Sequence, residues 1–86
     1  MKKYELTFSR SSRKELENLS DSLIEKILSK IDELIFNARP IGSEKIKGSQ
    51  NYWRIRIGDY RVIYSINEKI NLIEVLTIRH RKDVYR

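Results

Sequence analysis

Residues 51 to 78 hold three runs dense in β-branched and aromatic residues, NYWRIRI (51–57), YRVIYSI (60–66) and NLIEVLTI (71–78). Only Gly58-Asp59 separates the first two, and Asn67-Glu-Lys-Ile70 the last two. Connections this short leave room for hairpins and nothing else, so the second half of the chain is committed to an antiparallel meander. The two-residue link also sets register. It pairs Ile57 with Tyr60, Arg56 with Arg61, Ile55 with Val62, Arg54 with Ile63 and Trp53 with Tyr64. Because side chains alternate, Trp53, Ile55, Ile57, Tyr60, Val62 and Tyr64 share one face, and Arg54, Arg56 and Arg61 share the other. A slip of one residue would bury the arginines, at a desolvation cost that no partner in the sequence offsets.

This register sets Arg56 opposite Arg61, and like charges facing each other across a ladder destabilise it. An anion held between them would relieve the repulsion. Phosphate suits best, because each guanidinium offers a planar fork of donors to its oxygens. The formal charge of +6 agrees, and it is unevenly spread: residues 1–43 carry eight Lys/Arg against seven Asp/Glu, and residues 44–86 carry ten against five. Lys45 and Lys47 upstream, and Arg79, Arg81 and Lys82 downstream, are expected to converge on the same face, with Tyr52 and Tyr85 as surfaces on which a base could stack. Basic residues interleaved with aromatics on an open sheet face form a nucleic-acid footprint. Solvent-facing arginines also blunt sheet edges against aggregation, and that reading suits Arg54 taken alone.

The first half reads as one strand and two helices. Tyr4, Leu6 and Phe8 alternate with polar residues over 3–8, the period of a strand with one buried face. Ser12 and Glu15 have the spacing of a capping box, with Leu16 and Leu19 following on one helical face. Ser20, Asp21 and Ser22 are cap candidates for a second helix, whose apolar stripe at 23, 24, 27, 28, 31, 34 and 35 runs to about Phe36. Pro40, Gly42 and Gly48 then mark a loop. The expected fold is α+β in the order β-α-α-β-β-β, a helical hairpin packed on one face of a twisted, mainly antiparallel sheet.

At 86 residues the chain is expected to be a single domain. No apolar run approaches the roughly 20 residues that span a bilayer. The N-terminus lacks the apolar stretch of a secretory signal, so a cytoplasmic location is expected. There is no cysteine and only one histidine, which with scattered carboxylates gives no ligand spacing, so neither a metal nor another cofactor is expected.

The stretch "KIKGSQNYWRIRIGDYRVIYSI", followed by "IRHRKDVYR", resembles the RelE branch of the RelE/ParE superfamily, the toxins of type II toxin–antitoxin modules. The likeness covers the whole chain in length and element order, with its specific motifs in residues 45–86. It implies a metal-independent endoribonuclease that enters the ribosomal A site, cuts mRNA and is held inactive by a cognate antitoxin. The family's RNA-contacting positions match Arg54, Arg56 and Arg61, and its C-terminal arginine and tyrosine match Arg81 and Tyr85. RelE-type chains often carry lysine where Arg54 and Arg56 stand, and an arginine does not give up its proton, so a general base is not expected at these two positions. The chain also stops one residue after Tyr85, without the C-terminal helix of some members.

The implied reaction is attack of a 2′-hydroxyl on the neighbouring phosphodiester. It needs alignment, charge neutralisation, a base and an acid. Arg61 and Arg81 are assigned to the non-bridging oxygens, Arg56 to the leaving side, and Arg54 with Lys45 and Lys47 to flanking backbone. Tyr85 is the candidate base, its phenolate favoured by nearby arginines, with Lys47 as fallback. His80, in "RHRK", is read as a phosphate-contacting residue beside Arg79 and Lys82. The rival readings are a ParE-type toxin that inhibits gyrase by binding, without nuclease activity, and an RNA-binding module with no catalysis.

Overall fold

The computed structural model describes residues 3–84. Strand β1 (Glu5–Phe8) is followed by helices α1 (Arg10–Glu17) and α2 (Asp21–Glu33), then β2 (Glu44–Lys45), β3 (Tyr52–Ile57), β4 (Tyr60–Asn67), β5 (Leu72–His80) and the single turn α3 (Arg81–Val84). One five-stranded sheet runs in the order β1-β5-β4-β3-β2, with β1 parallel to β5 and every other pair antiparallel. This is the expected α+β architecture, extended by the short β2 inside the segment read as loop and by α3 at the end of a tail for which no helix was expected.

The β3–β4 register is the expected one at every pair from Trp53–Tyr64 to Ile57–Tyr60. Gly58 opens the turn with φ 59°, the left-handed value that a first turn position of this kind demands and that glycine adopts without strain. The core lies between α2 and one sheet face. Ile27, Ile31 and Leu34 pack against Ile55, Ile57, Val62, Tyr64, Ile66, Ile73, Val75 and Ile78, all buried. Trp53 and Tyr60 extend this cluster as half-buried members.

Helix α1 corrects one expectation. Its cap is Ser9, whose side chain accepts from the Ser12 amide at 3.0 Å. Ser12 and Glu15 instead serve the sheet. β1 pairs with β5 only between Leu72 and Val75, and beyond that point α1 takes the place of a neighbouring strand. The Ser12 hydroxyl donates to the Val75 carbonyl at 2.9 Å, the Ser9 hydroxyl donates to the Leu76 carbonyl at 2.9 Å, and Glu15 Oε1 accepts the Ile78 amide at 3.0 Å. Polar side chains thus satisfy an edge that would otherwise leave backbone groups unpaired. Helix α2 is capped by Ser20, one of the three expected candidates, which accepts from the Leu23 amide, so the helix begins at Asp21. No helix among the described residues is long and apolar enough to cross a membrane.

β5 carries an irregularity that decides the site. Tyr64 pairs with Val75 while Ile63 pairs with Thr77, which leaves Leu76 as an extra residue. A bulge of this kind reverses the side-chain alternation beyond it.

Candidate functional site

On the face away from the helices, Arg56 of β3 lies opposite Arg61 of β4, and Arg61 lies opposite Arg79 of β5. Three arginines therefore form a transverse row across three adjacent strands. The two-residue turn makes Ile57–Tyr60 a hydrogen-bonded pair, so Arg56–Arg61 is of the non-hydrogen-bonded kind, in which facing side chains approach most closely. Arg56 is exposed and Arg61 half-buried. A cleft of about 540 Å³ opens beside them, lined by Arg56, Gly58, Asp59, Arg61, Arg81 and Lys82. Four cations and one carboxylate on so small a surface suit a polyanion, since neutralisation by a phosphate would offset the mutual repulsion.

One end of the row has a fixed partner. Arg79 Nε donates to Glu15 Oε2 at 2.8 Å, so the carboxylate that seals the β5 edge with one oxygen holds this guanidinium with the other. Arg81 follows at the bend into α3, where its amide donates to the Asp59 carbonyl at 2.7 Å. Its Nε lies 3.9 Å from Asp59 Oδ1 in an exposed ion pair, a contact weak enough to yield to a phosphate. Arg54 also shares the arginine face but bonds Glu44 at 3.1 Å. Tyr52, on the same side by alternation, is exposed and available for stacking.

Two expected members lie elsewhere. Lys45 pairs with Trp53 in β2, which turns it to the side opposite Arg54, and Glu44 occupies the place expected for a lysine. The cause is that β2 is a strand with its own alternation rather than the expected loop. His80 pairs with Tyr60 and stands edge-on to its ring, with centroids 5.3 Å apart. That is the helix-facing side, so His80 does not join the arginine row. Lys47 is exposed in the connection after β2, and Lys82 lines the cleft. Tyr85, the expected base, lies outside the described residues.

Glu15, Glu44 and Asp59 escaped the sequence reading as members of the site. Glu15 stands 64 residues from Arg79, and no local pattern connects them. In the sequence Asp59 carries only the signature of a turn residue.

One buried titratable group stands apart from the cleft. Burial pushes the Tyr64 hydroxyl up to about 12, although the Ser43 side chain and the Arg39 charge act in the other direction. That hydroxyl donates to the Ala38 carbonyl at 2.7 Å, which ties the loop after α2 to the core.

The family described as "ParE toxin of type II toxin-antitoxin system, parDE" matches residues 6–85. The chain is 30% identical over 82 residues to Toxin RelE3 of Methanocaldococcus jannaschii, with 91% of each chain covered. It is similar to a chain of the archaeal RelE–RelB complex from Pyrococcus horikoshii OT3, with a TM-score of 0.81, 30% identity and coverage of 94% and 97% of the two chains. It also resembles a chain of the RelB–RelE antitoxin–toxin complex from Methanococcus jannaschii, with a TM-score of 0.72, 29% identity and coverage of 92% and 94%.

Proposed function

The chain belongs to the RelE/ParE superfamily of toxins from type II toxin–antitoxin systems, and on that premise we propose that residues 1–86 act as one toxin domain that cleaves mRNA in the ribosomal A site. The observation that carries this reading is the Arg56–Arg61–Arg79 row beside the cleft that Arg81 lines. A toxin that acts only by binding a protein has no need of three facing arginines, which work against its own stability. The gyrase-binding alternative is therefore not favoured.

In this reading the RNA backbone lies across the row. Arg61 and Arg81 take the non-bridging oxygens of the reacting phosphate, where charge grows as the 2′-hydroxyl attacks. Arg56 stands at the leaving side, and Arg79, fixed by Glu15, contacts the adjoining phosphate. Arg54, once freed from Glu44, and Lys47 hold flanking backbone. Tyr85 is the proposed base. The chemistry uses electrostatic neutralisation and alignment, with no metal assigned a part. Because the described site offers charge but no evident acid–base pair, ribosome-bound message, whose conformation is already set, is the proposed substrate in the cytoplasm.

An antitoxin partner is proposed from the RelB–RelE and RelE–RelB complexes that the chain resembles. An acidic amphipathic segment that folds on contact would cover the arginine row and neutralise it. The decisive measurement compares cleavage of one message on programmed ribosomes and free in solution. Cleavage on ribosomes alone is expected. Equal rates would remove the ribosome from the proposal, and no cleavage in either form would remove the nuclease.

A further inference from the structure

β5 ends in a bend rather than running off the sheet. The Lys82 amide donates to His80 Nδ1 at 3.2 Å, and α3 begins at the residue between them, Arg81. A side-chain acceptor two residues ahead of an otherwise unsatisfied amide at a helix start is an N-cap. Imidazole can fill that place only through a ring nitrogen that carries no proton, so the bond assigns the proton of the neutral ring to Nε2. The ring is itself held, edge-on to Tyr60 at 5.3 Å and 87°. On the other side of the bend the Arg81 amide is held by the Asp59 carbonyl at 2.7 Å. Residues 80–82 are thus pinned at three points, and of these three Arg81 and Lys82 line the cleft.

We propose that His80 is a positioning residue for Arg81: its neutral imidazole, docked on Tyr60, caps the α3 turn through Nδ1 and so aims Arg81 into the phosphate cleft beside Arg56 and Arg61. His80 acts from the helix-facing side and touches no RNA. The inference rests on the cleft being the RNA site, and the experiment separates the two claims.

Two variants divide the ring from the acceptor. His80→Phe keeps an aromatic ring for Tyr60 and removes the acceptor, and His80→Asn keeps an acceptor and removes the ring. Hydrogen exchange at the Lys82 amide is measured in all three proteins, together with kcat and KM for message cleavage on programmed ribosomes. In His80→Phe the amide should exchange roughly five-fold faster, the usual worth of a cap. Its kcat should fall by a similar factor at unchanged KM, because Arg81 acts on charge that develops only in the transition state. His80→Asn should match wild type in both. Equal Lys82 exchange in all three proteins, or loss confined to His80→Asn, would overturn the cap. Faster exchange in His80→Phe with unaltered kcat would overturn the positioning of Arg81 and leave the nuclease reading intact. A wild type that cleaves nothing would defeat the nuclease reading instead, and the Lys82 exchange pattern would still decide for or against the cap.

Discussion

Arg61 and Arg79 face each other directly across the β4–β5 ladder, on the side of the sheet that no helix covers. Arg61 meets a second arginine, Arg56, on its other flank. The middle residue of the row therefore has like charge on both flanks, and among the described residues Arg79, at one end, is held by a nearby carboxylate, Glu15. Like charges facing each other across a ladder work against its stability, and an anion held among them offsets that cost.

Replacing Arg56 by glutamine should leave the fold as stable as wild type or raise its stability by up to about 1 kcal/mol, the scale of a relieved cross-strand repulsion. Message cleavage on ribosomes should fall on the order of a hundred-fold, as when one donor to a developing oxyanion is removed. Urea unfolding and initial cleavage rates check the two halves separately. A variant that loses stability and retains activity would refute both.

Glu15 seals the β5 edge and fixes Arg79 with its two oxygens. Glu15→Ala should cost about 1–3 kcal/mol, because the Ile78 amide then loses its acceptor in a partly buried place. Glu15→Gln keeps an oxygen for that amide and should cost well under half as much. Equal losses in the two variants, measured by denaturant midpoint, would show that the edge is sealed by something else.

Glu44 competes with RNA for Arg54 through the 3.1 Å pair. Glu44→Gln should free that arginine for one more phosphate. The dependence of log binding constant on log salt for a short single-stranded RNA should then steepen by roughly 0.7, the share of one neutralised phosphate. An unchanged slope in a salt titration would mean that Arg54 does not reach the backbone.

Tyr64 predicts an alkaline limit on stability. Burial holds its hydroxyl protonated up to about 12 in the folded chain, above the value near 10 of an exposed phenol. Between these values the folded state keeps a proton that the unfolded state has released, so stability is fully present below about pH 10 and falls as pH rises toward 12, by about 2–3 kcal/mol. Tyr64→Phe should abolish this slope. It should also lower stability at neutral pH by about 1 kcal/mol or more, because the Ala38 carbonyl loses its 2.7 Å donor. Denaturant unfolding of both proteins across that pH range measures the difference.

Much of this molecule is determined locally and can be read from its residues in order. A two-residue link forces a hairpin, alternation divides its side chains between two faces, and the cost of burying arginine chooses the register, which is why the sequence alone pairs Arg56 with Arg61. Arg79 reaches the face where it is expected, though not by simple alternation along its strand, and His80 does not. Unbroken alternation from Ile73 and Val75 would send Arg79 into the core face and His80 out among the arginines. The extra residue at Leu76 exchanges them, completing the row with Arg79 and delivering His80 to Tyr60. A bulge depends on how β4 and β5 settle against each other and against Ser9 and Ser12 of a segment more than 60 residues away, so nothing within "NLIEVLTIRH" announces it. The pairing of Glu15 with Arg79 and of Glu44 with Arg54 belongs to the same class. Opposite charges find each other wherever the packed backbone brings them together, and that placement is a property of the whole fold rather than of any stretch of chain.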